Sequence, residues 1–151
     1  MPTNKTLPVA HSTINADNLG DLLIESFDIG RSLVCELLHR GMNDFYLVRT
    51  KKKNYVCQVW RPGIKTINML DRQMDFLKYL YEGGVKVPLP IKTTSNDWTF
   101  SFESHNGIRH ACVFDFVKGK VFSKDPRVLV SKEMGNIFGK IHNLSEKFKL
   151  K

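Results

Sequence analysis

No stretch of this chain approaches the roughly 18 consecutive apolar residues that a membrane-spanning helix needs. The amino-terminal MPTNKTLPVAHSTIN has no continuous apolar core either, so it does not read as a secretory signal. Cysteine is scarce. Cys35, Cys57 and Cys112 stand apart in apolar or alternating runs, without CxxC spacing. That argues for reduced, buried thiols in a cytoplasmic protein over a disulfide framework or a zinc site. There is no glycine-rich GxGxxG, no internal repeat and no low-complexity segment. Acidic residues are few, 15 against 23 Lys and Arg. What remains is an ordinary globular composition, 42% hydrophobic and 25% charged over 151 residues, sized for one domain with a core.

The formal net charge of +8 points to an acidic partner, whether nucleic acid, a phosphorylated ligand or an anionic protein surface. Its distribution argues against nucleic acid. The densest run, Lys51-Lys52-Lys53, falls between two strand-like segments, where a solvated hairpin tip is the simplest reading. The other lysines are scattered, and no basic stripe interleaved with aromatics is present.

The hydrophobic patterning divides the chain into elements. After a loose lead-in over 1–14, Leu19, Leu22, Leu23 and Phe27 recur at helical spacing, with Asn15 or Asp17 available as cap and Gly30 as the stop. Three apolar, branched or aromatic runs, Arg31–Arg40, Asp44–Thr50 and Asn54–Trp60, predict a meander. Ile67, Leu70, Met74, Leu77 and Tyr81 mark one face of a helix that ends at Gly83-Gly84. VKVPLPI then reads as an extended segment enforced by its prolines. Trp98, Phe100 and Phe102 alternate with polar residues as in a half-buried strand. Asn106-Gly107 predicts a type I′ hairpin, and Ile108–Phe116 the returning strand. Ser123-Lys124-Asp125-Pro126 is a helix-start signal before the stripe Met134, Ile137, Ile141, Leu144 and Phe148. The expected class is α+β: a five-stranded, mostly antiparallel sheet with one helix inserted after the third strand, and a carboxy-terminal helix.

Three segments carry candidate chemistry. Gly41-Met42-Asn43-Asp44 breaks a strand pair; taken alone it reads first as an ordinary hairpin turn, and its backbone N–H groups could also hold phosphate oxygens. ACVFDFVKG (residues 111–119) is a buried strand entering a Lys-Gly link, the kind of strand end that can bond a flat heterocycle. MGNIFGKIH (residues 134–142) spaces Gly135 and Gly139 four apart on a helix, which permits close packing, and His142 has no nucleophile spaced for it to activate.

In this order, GMNDFYLV…NYVCQVWR, FLKYLYEGGVKVPLPI, VFDFVKG and MGNIFGKIH resemble the amino-terminal lobe of the aminoglycoside phosphotransferase and choline kinase family, within the protein-kinase-like fold. Members close to homoserine kinase type II are the most similar. The resemblance runs from about Leu37 to His142. It implies a kinase-like small lobe over 15–116, a hinge over 117–125 and the first large-lobe helix over 126–151. It also implies ATP as cofactor and a small-molecule phosphate acceptor as partner. Gly41, Asn43 and Asp44 would then sit over the phosphates, Val56 and Phe116 would wall an adenine slot, and the backbone of Asp115 and Val117 would bond the adenine edge.

The sequence departs from the family at one pair of positions. Family members usually carry a Lys or Arg at Gln58, which clamps phosphates and pairs with a Glu on the inserted helix, here Gln73, with Asp71 and Asp75 nearby. A neutral amide pair can meet by hydrogen bonds but supplies no positive charge. By the same resemblance the catalytic loop, with its base, and the metal-binding Asp lie beyond His142, and nothing in these 151 residues supplies them. Mg2+ is therefore expected only where a second lobe is joined, and the chain reads as one part of a longer or split phosphotransferase. The other reading is a non-catalytic interaction module of kinase-like shape, self-associating through the apolar stripe of its last helix.

Overall fold

The computed structural model describes residues 12–119 and 128–149. The expected helix start at Ser123-Lys124-Asp125-Pro126 and residues 1–11 of the lead-in lie outside them. Helix α1 (Ala16–Ser26) is capped by Asn15, whose side chain accepts from the Asn18 N–H at 3.1 Å, while Asp17 lies in the first turn. Both favour the helix start, the first by satisfying an orphan donor and the second through the dipole. Gly30, at φ 101°, turns the chain into the sheet.

Strands β1 (Leu33–Arg40), β2 (Asp44–Thr50) and β3 (Asn54–Val59) form the expected antiparallel meander. Its Lys51–Lys53 tip is exposed. Helix α2 (Ile67–Glu82) follows, with Thr66 as its cap, and buries Leu70, Met74 and Leu80. Then come β4 (Pro90–Ile91), β5 (Phe100–Ser104), β6 (Gly107–Asp115) and helix α3 (Val128–Ser145). The main strand order is β1-β2-β3-β6-β4, with β5 also paired to β6, and every pairing is antiparallel.

The sheet thus has six strands where five were expected. The extra one is β4, two residues within the Pro-rich segment. An edge position tolerates Pro90, which has no N–H to donate, and the Leu89 carbonyl beside it accepts from the Asp115 N–H at 3.0 Å. The hairpin differs too. Ser104 pairs with Gly107, so the turn residues are His105 and Asn106, and only Gly107 has positive φ. Type I′ needs two such residues in succession and is not formed.

The sheet is covered on both faces. On one, Leu19, Leu23 and Phe27 of the α1 segment pack on Tyr46, Val48, Cys57, Val59 and Val113. On the other, Leu70 and Met74 of α2 pack on Trp60, Cys112 and Phe114. Trp98, expected in line with Phe100 and Phe102, precedes β5 and joins this second cluster, its Nε1 donating to Asp75 at 2.8 Å. The alternating register dictates the division: Val56 and Gln58 of β3 point toward the α2 side, Tyr55 and Cys57 toward α1. All three cysteines are buried and free. Helix α3 meets α2 at its far end, where the Phe148 ring lies 5.0 Å from Phe76 and 5.1 Å from Tyr79. A side chain at Gly135 or Gly139 would meet nothing within 4 Å, so the close packing expected there is not made among the described residues.

Candidate functional site

A cleft of about 380 Å³ opens on the α2 side of the sheet. Leu38 and Phe45, Val56 and Gln58 on β3, and Gln73 and Leu77 on α2 form its walls. Pro88 and the run Phe114–Val117 at the end of β6 complete it. Six of the residues singled out from the sequence therefore share one cavity: Val56, Gln58, Gln73, Asp115, Phe116 and Val117. Leu38 reaches the cleft by alternation, since Cys35 and the Leu37 partner Tyr46 face the α1 side.

The cleft is polarised along its length. At the β6 end the Asp115 N–H donates to Leu89 and the Phe116 N–H to the Asn54 carbonyl. Among the described residues the Val117 N–H makes no backbone hydrogen bond, which leaves a donor at the cleft mouth. Apolar Val56, Leu77, Phe114 and Phe116 line the adjoining space, a chemistry suited to a flat heterocycle with an edge that accepts. The Asp115 carboxylate is held outward by Lys53, Nζ 2.6 Å from Oδ1. Gln58 lies toward the other end, three residues along β3 from the partner of Asp115, and Gln73 lines the α2 wall.

The direct Gln58–Gln73 pair considered from the sequence is not formed among the described residues. Gln73 Oε1 instead accepts from Lys65 Nζ. Lys65 was not singled out in the sequence, where it reads as one more solvated lysine before a helix cap. The spacing of eight residues to Gln73, across a loop, gives no periodic signal.

The β1–β2 turn stands beside this end. The Gly41 N–H donates to the Asn43 carbonyl at 3.0 Å, and the Gly41 carbonyl accepts from the Arg61 guanidinium. Asn43 Oδ1 is enclosed without a partner among the described residues. Neither Gly41 nor Asn43 lines the cleft itself. Asp44 departs further from its expected place over the phosphates. It pairs with Val59 in the β2–β3 register, which puts it on the α1 side, opposite the cleft. There it faces Arg109, Nη1 3.4 Å from Oδ2, with both side chains buried. The Arg109 guanidinium also donates to the Ser12 carbonyl and hydroxyl.

Burial pushes the Cys112 thiol up, with Asp71 adding to the rise and Lys65 opposing it. Burial likewise raises Cys57, and raises Cys35 to about 11. These thiols stay protonated and unreactive at neutral pH. Among the described residues no three His, Cys, Asp or Glu side chains are grouped to hold a metal ion, and no helix is long and apolar enough to cross a membrane.

Comparison with known proteins agrees with this architecture. The sequence pattern of the phosphotransferase enzyme family matches residues 35–150. An uncharacterized protein of Synechocystis sp. is 24% identical over 142 residues, 94% of this chain and 39% of that protein. A microcompartment-associated aminopropanol kinase superposes with a TM-score of 0.73 at 18% identity, over 89% of this chain and 42% of its own. An amicoumacin kinase in complex with AMP-PNP, Ca2+ and Ami gives 0.76 at 16% identity, over 91% and 42%. A spectinomycin phosphotransferase in complex with ADP and spectinomycin gives 0.65 at 15%, over 93% and 43%. At such identities the likeness is one of fold, and the fold is kinase-like. The chain spans about two-fifths of the length of these relatives.

Proposed function

The chain belongs to the phosphotransferase enzyme family, and on that premise we propose that it forms the nucleotide-binding lobe of an ATP-dependent small-molecule kinase. The observation that carries this reading is the cleft: one cavity of about 380 Å³ with an apolar slot, a Val117 N–H that makes no backbone hydrogen bond among the described residues, and polar Gln58 and Gln73 in its walls. An adenine fits the slot, walled by Val56, Leu77 and Phe116, with its edge on the Asp115 carbonyl and the Val117 N–H. The phosphates then run toward Gln58, Gln73 and the Gly41–Asn43 turn. Mg2+ and the phosphate acceptor, of the amino-alcohol or aminoglycoside kind, enter only with a second lobe. The three free, buried thiols are in keeping with a cytoplasmic location.

Calorimetric titration of the purified chain with ATP, ADP and adenosine tests the proposal. All three should bind, and Val56→Trp, which fills the slot, should abolish binding while the chain stays folded. Binding that survives Val56→Trp, or no binding of any of the three, would refute it.

A second reading, a protein-interaction module, is favoured by the exposed Met134, Ile137 and Phe138 on α3. These side chains are available to a second copy of the chain or to another protein.

A further inference from the structure

The cleft has a carboxylate near one end, Asp115, and two neutral amides and no cationic side chain in its walls. Nucleotide phosphates carry several negative charges and are held best by charged donors. Two lysines reach the walls from outside. Lys53 is paired with the Asp115 carboxylate, so its charge is compensated, and it sits at the slot end. Lys65, in the loop between β3 and α2, gives one hydrogen bond to Gln73 Oε1 and takes part in no ion pair among the described residues. An amide partner orients an ammonium without cancelling its charge.

One contact places that ammonium at the cleft wall: its partner Gln73 is a wall residue. In keeping with this, Lys65 opposes the rise of the Cys112 thiol, and Cys112 sits directly across from Gln58 in the β3–β6 register. The two acids flanking Gln73 on α2 are engaged elsewhere, Asp71 Oδ1 by the Thr99 hydroxyl at 2.7 Å and Asp75 Oδ1 by the Trp98 indole at 2.8 Å. An ammonium has three N–H donors. One goes to Gln73, and the other two have no partner among the described residues.

We propose that Lys65 is the phosphate-binding cation of this cleft, supplied by the loop after β3 rather than by β3 itself, with Gln73 as the positioning residue that holds it there. The inference rests on the reading of the cleft as a nucleotide site. It accounts for two glutamines in a cavity that would otherwise meet phosphates with no charge.

The test compares ATP and adenosine binding, by calorimetry, to the chain and to five variants. Lys65→Met should weaken ATP binding about tenfold or more and leave adenosine binding unchanged. Lys86→Met, which removes one exposed lysine elsewhere, should change neither. Adding Gln58→Lys to Lys65→Met should restore ATP affinity, since the new ammonium would enter the same end of the cleft. Gln73→Leu should weaken ATP alone and have no further effect once Lys65 is Met, as a residue acting through Lys65 must. Unchanged ATP affinity in Lys65→Met, with adenosine still bound, overturns the role of Lys65 and leaves the nucleotide cleft standing. An equal loss of ATP and adenosine in that variant marks a structural role and also overturns it. If the unsubstituted chain binds neither, the cleft reading and this inference fall together.

Discussion

Asp44 and Arg109, 65 residues apart in sequence, form an ion pair in the interior, Arg109 Nη1 lying 3.4 Å from Asp44 Oδ2 with side-chain exposures of 0% and 2%. The pair ties the start of β2 to β6 on the α1 face of the sheet. Removing one partner leaves the other charge buried and uncompensated, which costs about 3–5 kcal/mol. Asp44→Ala should therefore lower unfolding stability by about that amount in urea titrations. Asp44→Leu combined with Arg109→Met should recover much of the loss. Because Asp44 faces away from the cleft, Asp44→Asn should leave ATP affinity unchanged in the folded fraction. A specific loss of ATP binding would return Asp44 to the phosphate site.

Stability should fall on the alkaline side. Burial raises Cys35 to about 11 from an ordinary 9.0 and Tyr46 to about 12 from 10.0, and lifts Cys57 and Cys112 as well. The folded state holds these protons more tightly than the unfolded chain does. Their contribution is thus complete below about pH 9 and is lost as pH rises toward 11–12. Denaturation midpoints measured from pH 7 to 11 should be level to about pH 9 and decline beyond it. In the native state at pH 8 a thiol reagent should label none of the three cysteines. Rapid labelling would contradict the burial.

The stripe on α3 is divided by its surroundings. Phe148, just past the helix, packs on Phe76 and Tyr79, and Leu144 sits against Gly83, whereas Met134, Ile137 and Phe138 stand exposed by 40%, 47% and 63%. Burying each of the exposed three would gain roughly 1.5–3 kcal/mol at most. The purified chain should therefore sediment as a dimer or larger at micromolar concentration, and Ile137→Asp with Phe138→Asp should return it to monomer. A monomer before substitution would remove the case for this contact.

Local chemistry made much of this fold readable. The apolar run Phe45–Val48 between turn signals placed β2 at Asp44–Thr50, and the Ile67–Tyr81 stripe placed α2. The Pro-rich segment hid β4, because proline reads as a strand breaker and only an edge strand escapes that rule. Trp98 looked like a third member of the Phe100–Phe102 face, but its indole N–H is satisfied by Asp75 on the opposite side. The cleft was legible through the family resemblance, which picked out Val56 and Gln58, and strand register then sets both on the α2 side. Asp44 lies one residue before Phe45, a cleft residue, and that single step reverses the face it occupies. Partners distant in sequence, Arg109 for Asp44 and Lys65 for Gln73, leave no periodic trace and needed the fold to bring them together.

The central claim is that the cavity on the α2 side is a nucleotide site. The most direct measurement is to titrate ATP into the chain and follow its methyl resonances by NMR. Val56, Leu77 and Val117, which line the cleft, should shift together and saturate with one dissociation constant. Leu19, Leu23 and Val48, on the α1 face, should stay in place. Shifts confined to the exposed Lys51–Lys53 tip, or no shift at Val56 and Leu77 under millimolar ATP, would contradict the claim.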